Sequence, residues 1–295
     1  MRKNALFYLL ATKLKNNLKE FVKKPAKLIF ALFLIAMFGL TIFGASQGAN
    51  DTERQLRDFS ELSAIISGIL ILIFSMTFYT GLSRGGSIFK MPDVNFIFPS
   101  PINKRSVMFF GLIQQIGASL LVGIFIMFQY TNLHINYGIG ISGLLLIFLV
   151  YSLTVFLGQT SAMLIYIFIS HSDRKRTIAK NIFMAYIILL CAIIGFQVFK
   201  NQNDVLNVLV SAGNGLLLRS FPFAGWMAGF ADGIFSGEYL QAALWLGISV
   251  LAFLAMLSAM SRSNREYYED VLASTETAFN ALSAAKEGSA ATAPM

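Results

Sequence analysis

Six stretches of the chain are apolar throughout, and none carries a charge in its interior: Leu28–Ala45, Leu62–Leu82, Val107–Phe128, Gly140–Ser170, Ile182–Phe199 and Leu240–Met260. A crossing of the ~30 Å hydrocarbon core takes ~20 such residues. Barrel strands would alternate in short segments, whereas these runs are continuous. They predict six membrane-spanning helices, because a helix satisfies its own backbone in lipid. The fourth run exceeds what a crossing needs and predicts tilt or a projection into water. Ahead of the first run, Phe7, Leu10, Leu14, Leu18 and Phe21 recur on one helical face, with Lys13, Asn16, Asn17, Lys19, Glu20, Lys23 and Lys24 on the rest. That pattern predicts an amphipathic helix in the headgroup plane, broken at Pro25. It is not a signal peptide, since the apolar piece Ala5–Ala11 is minimal and lysines follow it.

Between the fifth and sixth runs lie two further apolar pieces, Val205–Leu218 and Phe221–Phe235, separated at Arg219 and Pro222. Each is too short to span, so they predict a re-entrant pair of half-helices; a helix lying flat on the outer surface is the alternative. Gly225, Gly229 and Gly233 recur every four residues and would let the second piece approach a neighbour closely.

Composition agrees with the pattern. Only 13% of the 295 residues are charged and 56% are hydrophobic, against about 25% charged in a soluble domain. A water-soluble globule is excluded. Nineteen of the 23 Lys and Arg fall on one side of the six runs, leaving Arg54, Arg57, Lys200 and Arg219 on the other. The positive-inside rule therefore predicts that both termini are cytoplasmic. The net charge of +8 is then a basic membrane face drawn to anionic lipid, not a nucleic-acid surface.

The chemistry available is sparse. No phosphate-binding G-x-x-x-x-G-K-[ST] loop is present, and no H-E-x-x-H pair. His134 and His171 are expected on opposite sides of the bilayer, and Cys191, inside the fifth run, reads as a packing residue. With no Asp, Glu, Lys or Arg inside the runs, ion-coupled transport and intramembrane hydrolysis are disfavoured. The polar groups inside include Gln114, Gln115, Gln159, Thr160 and Gln197, which suit interhelical hydrogen bonds or a path lining. Outside the runs, Met91 to Ile102 holds Pro92, Asp93, Val94, Asn95, Phe96, Ile97, Phe98 and Pro99. Asp93 can cap a short helix that Pro99 ends. Phe96, Ile97 and Phe98 then form an apolar knob that either docks on a partner or packs back under the membrane. The tail from Arg262 to about Lys286 reads as a cytoplasmic helix, followed by a featureless end.

The order of elements resembles the permease subunits of type 2 ABC exporters. The stretch from Asp93 to Ile102 resembles the cytoplasmic signature of the bacterial "putative ABC exporter" family, and Arg265 to Ala273 is similar to that family's segment after span six. This resemblance implies an all-α integral membrane protein with an elbow helix (1–27), a six-span domain (28–260) and a cytoplasmic helical tail (261–295). Within the six-span domain it implies a cytoplasmic coupling region (83–106) and an external re-entrant helix pair (201–238). Pro92 to Pro101 would be the coupling helix, seated in a groove of a separate cytoplasmic ATPase that holds ATP and Mg. His171–Lys180 would be a second contact. No catalytic, cofactor or metal residue is expected in this chain itself. The resemblance corresponds to the N-terminal six-span half of longer family members. A second six-span bundle, identical or related, is therefore expected beside this one in a bacterial cytoplasmic membrane. The alternative is a scaffold or sensor subunit that docks a cytoplasmic partner and moves nothing.

Overall fold

The computed structural model describes residues 5–48, 55–84, 104–169 and 173–262. Its secondary structure is helical: α1 (Ala5–Lys23), α2 (Pro25–Gly48), α3 (Phe59–Arg84), α4 (Lys104–Met127), α5 (Tyr130–Tyr137), α6 (Ile141–Ile169), α7 (Asp173–Lys200), α8 (Val205–Asn214), α9 (Leu216–Arg219), α10 (Ala224–Phe235) and α11 (Tyr239–Arg262). Six of these are long and apolar enough to cross a membrane: Pro25–Gln47, Phe59–Leu82, Phe110–Met127, Ile141–Tyr166, Arg174–Lys200 and Tyr239–Ala259. They coincide with the six apolar runs of the sequence. The fifth is the most extended, because α7 carries its basic first turns as continuous helix. The chain is a multi-pass membrane protein.

Local signals set the helix ends. Asp58 accepts a hydrogen bond from the Ser60 backbone N–H at 3.0 Å and so caps α3. That bond holds its carboxyl below the usual carboxylate range. Gly138 ends α5 at φ 67°, a left-handed conformation that suits glycine, and its N–H returns to the His134 carbonyl. Pro25 starts α2 one residue after α1 ends, where its missing N–H costs nothing.

The helix α6 forms the centre. Half of its membrane window is buried, against 6% for α2 and for α7. Small residues permit its close contacts. Gly81 of α3 lies against Ala162, and Gly158 lies against Thr77, a constant offset that makes α3 and α6 parallel. Gly123 of α4 meets Phe148 and Ser152 of α6. Ser161 donates a hydrogen bond to the Met256 sulfur of α11 at 3.6 Å. The helix α2 is attached at the edge, through α5: the Thr131 hydroxyl donates to the Thr41 carbonyl at 2.6 Å.

The pieces between α7 and α11 complete the core. The ring of Phe235 packs on Phe59 at 5.1 Å, Ser63 bonds to Asp232, and Phe223 and Phe221 reach Phe74. These pairs share one register, so α10 runs antiparallel to α3. The turn at 220–223 therefore lies beside Phe74, about 22 Å along α3 from Phe59 at ~1.5 Å per residue. On its other flank α10 runs antiparallel to α11, with Gly229 against Trp245 and Gly233 against Ala242. The glycine spacing seen in the sequence thus serves α11 at two positions. Gly225 instead faces the Leu218 and Arg219 carbonyl groups of the preceding turn.

Candidate functional site

The knob residues Pro92, Asp93, Val94, Asn95, Phe96, Ile97, Phe98 and Pro99 lie outside the described residues, as do His171 and the tail after Arg262. Their neighbours are described. The helix α3 runs unbroken to Arg84 on one side of the knob segment, and α4 starts at Lys104 on the other. Across the second predicted contact, the Arg176 guanidinium sits 4.9 Å over the Tyr166 ring and donates to its hydroxyl at 3.3 Å. That cation–π contact joins the end of α6 to the start of α7, leaving Arg174 and Lys175 exposed. On α1, Phe7, Leu14 and Phe21 are exposed, and Lys13 lies 5.1 Å over the Phe110 ring of α4. Glu20 accepts hydrogen bonds from Lys24 at 2.6 Å and Lys27 at 3.0 Å. The two ammonium groups lower its pKa to about 2.

The polar residues of the spans do not share one wall within this chain. By the register of α4 on α6, Gln114 stands level with Gln159. Gln114 Nε2 and Gln115 Oε1 are buried and lack a hydrogen-bond partner among the described residues. Thr160 is fully buried, and its hydroxyl donates to the Phe156 carbonyl of its own helix at 2.8 Å. Gln197 is exposed on α7, in an open groove lined by Ala192, Ile193, Phe196, Lys200 and Asn201.

A different polar cluster is built where α9 and α10 meet α3. Arg219, 8% exposed, forms an ion pair with Asp232. The Ser63 hydroxyl donates to the other carboxylate oxygen at 2.6 Å. One turn nearer the start of α3, Asn214 Nδ2 donates to the Ser60 carbonyl at 2.8 Å, and Gly213 is in contact with Ala64. Charges inside an apolar body persist only when paired and hydrogen-bonded. The pair is thus a built feature: the six runs lack ionisable groups, as the sequence shows, and the helices packed between the fifth and sixth runs supply them. Sequence reasoning took Arg219 only as a break between pieces and overlooked Asp232 and Ser63. One base and one acid in the otherwise apolar stretch from Val205 to Phe235 were the available signal.

A family model described as "Putative ABC exporter" matches residues 3–294. The chain belongs to that family. Membership gives this ABC exporter family protein a transport-related role, and an ABC exporter in general works with an ATPase. Neither the curated proteins nor the solved structures compared with it contain a match. Among the described residues no group of three or more His, Cys, Asp or Glu side chains is placed to hold a metal ion.

Proposed function

We propose that this chain is the membrane-spanning permease subunit of an ABC exporter, coupled through residues 92–99 to a separate cytoplasmic ATPase. The observation that carries the reading is the family match over nearly the whole chain. The placement of the knob supports it. The segment joins two spans directly, so force applied there enters both α3 and α4, and α3 packs along α6 at the centre. The lysine-rich side of the molecule faces the cytoplasm, with both termini, in a bacterial cytoplasmic membrane. The helix α1 lies in the headgroup plane, with Phe7, Leu14 and Phe21 toward acyl chains and Lys15, Lys19 and Lys23 toward lipid phosphates. The pieces from Val205 to Phe235 form a re-entrant pair entering from the outside. Their contact with Phe74, deep along α3, supports this over a helix lying flat.

Transport then follows alternating access. ATP and Mg bind in the partner, the ATPases close, and the knobs of two bundles are drawn together. The bundles rock in response. A second bundle, a copy of this one or a relative, supplies the other half of the path. This chain contributes no covalent chemistry. The double variant Phe96→Ser/Phe98→Ser tests the assignment in cells that carry the native partner. Its insertion should be unchanged, and co-purification of a phosphate-loop ATPase in mild detergent should be lost. Full retention of the ATPase would remove the coupling assignment. A parent chain that brings down a non-ATPase partner would put a scaffold or sensor in place of the exporter.

A further inference from the structure

The hairpin formed by α9, the turn and α10 is held by two opposed features. The first is strain. Phe223 sits at φ 60°, ψ −58°, and is the one non-glycine residue at positive φ among the described residues. The Ala224 N–H bonds to the Pro222 carbonyl at 2.7 Å, closing a γ-turn of the positive-φ kind, which is rare and strained for an L side chain. Such a conformation persists only where the surroundings over-determine it. Here the Phe223 ring is wedged between Trp226 at 5.2 Å and Phe74 at 6.1 Å. The neighbouring Phe221 ring packs on Phe74 and Tyr186 at 5.7 and 5.5 Å.

The second feature is the polar staple. Asp232 faces Arg219 within the hairpin and Ser63 on α3, so one carboxylate ties the hairpin to itself and to a span. Apart from Met227, the buried residues of α10 are small: Ala224, Gly225, Ala228, Gly229, Ala231 and Gly233.

We propose that the hairpin is a latched closure of the outer half of the bundle, with Arg219, Asp232 and Ser63 as the latch holding a strained turn in place. The inference deepens the exporter reading and rests on it for the path that is closed. Ser63 makes the latch responsive. It stands one turn from the start of α3, and α3 continues without a break to Arg84, at the end that leads in the sequence to the segment assigned to the ATPase contact. Movement of that helix reaches the carboxylate directly, and losing the serine bond leaves Asp232 tied only within the hairpin, to Arg219.

The test is thiol protection in the full chain, in membranes, with the exposed Cys191 replaced by alanine. Ala228→Cys reports the hairpin and Ala162→Cys the inner half of the bundle; both positions are buried in the parent, at 2% and 0% exposure. Membrane-permeant N-ethylmaleimide is the probe. Asp232→Asn should raise the labelling rate at position 228 at least tenfold and Ser63→Ala several-fold, with position 162 unchanged. The exchange Arg219→Asp/Asp232→Arg should return protection toward the parent. Continued protection of position 228 in both Ser63→Ala and Asp232→Asn overturns the latch. So does a parallel rise at position 162, which would make the cluster a general stability element, and so does an exchange variant without rescue. If Asp232→Asn does not accumulate, the conservative Ser63→Ala carries the decision. The readout uses neither ATPase nor substrate, so it is judged apart from the co-purification result.

Discussion

Replacing Gly213 by alanine should loosen α8 from α3, and the size of the effect follows from three distances. A Cβ at this position would lie 2.5 Å from the Ala64 Cβ, 2.7 Å from its Cα and 3.2 Å from its carbonyl oxygen. None of these atoms can rotate away. Carbon pairs settle near ~3.5–4.0 Å, so α8 must withdraw by about 1 Å. Overpacking of this kind costs about 1–3 kcal/mol. The same withdrawal stretches the Asn214–Ser60 bond from 2.8 Å past bonding distance, a loss of about 0.5–1.5 kcal/mol. Against this, alanine is a better helix former than glycine by roughly 0.5–1 kcal/mol. The net expectation is a destabilisation of about 2 kcal/mol, roughly thirtyfold in the folded ratio. Gly195 is the control, because nothing lies within 4 Å of its Cβ position, and Gly195→Ala should be neutral or slightly stabilising. Unfolding in mixed micelles against SDS mole fraction reads the difference. The chain has two tryptophans, Trp226 on α10 and Trp245 on α11, whose fluorescence follows the unfolding. A Gly213→Ala midpoint equal to that of Gly195→Ala would refute the packing argument.

Three further outcomes are expected. In intact cells, single cysteines at Asn50 and Asn203 should be labelled by an impermeant maleimide and one at Ser100 should not; the reverse pattern would invert the topology. Glu20 should titrate near pH 2, and Lys24→Ala/Lys27→Ala should bring it back toward 4.5, followed by NMR of the side-chain carboxyl. Because the folded pKa is depressed, the contribution of this cluster is complete above about pH 4.5 and is lost as pH falls through about 2; a midpoint that ignores the lysine substitutions would dismiss the cluster. Thr131→Ala removes the bond to Thr41 and should cost about 1 kcal/mol. Because α2 is little buried, the loss should appear as faster proteolysis near α2 rather than as global unfolding, and an unchanged digestion pattern would count against an edge attachment through α5.

The sequence by itself determined the six spans, because the bilayer sets the length of an apolar run and the backbone must then be helical. The break at Pro25 was legible for an equally local reason: a proline N–H is absent wherever the residue sits. The family was legible from the stretch after Met91, and the match over residues 3–294 bears it out. What only the tertiary structure decided is which elements meet. Apolar side chains pattern a helix for burial, but lipid and protein neighbours are equally apolar, so hydropathy does not distinguish the half-buried α6 from the little-buried α7. Small residues do, once their partners are known: Gly81 is informative because Ala162 stands opposite. The ion pair lay furthest from sequence reasoning. Arg219 and Asp232 are 13 positions apart, beyond any helical spacing, and Ser63 is 169 positions from its acceptor. Only a chain that turns at Phe223 beside Phe74 brings the three together, and there the low dielectric makes their pairing obligatory.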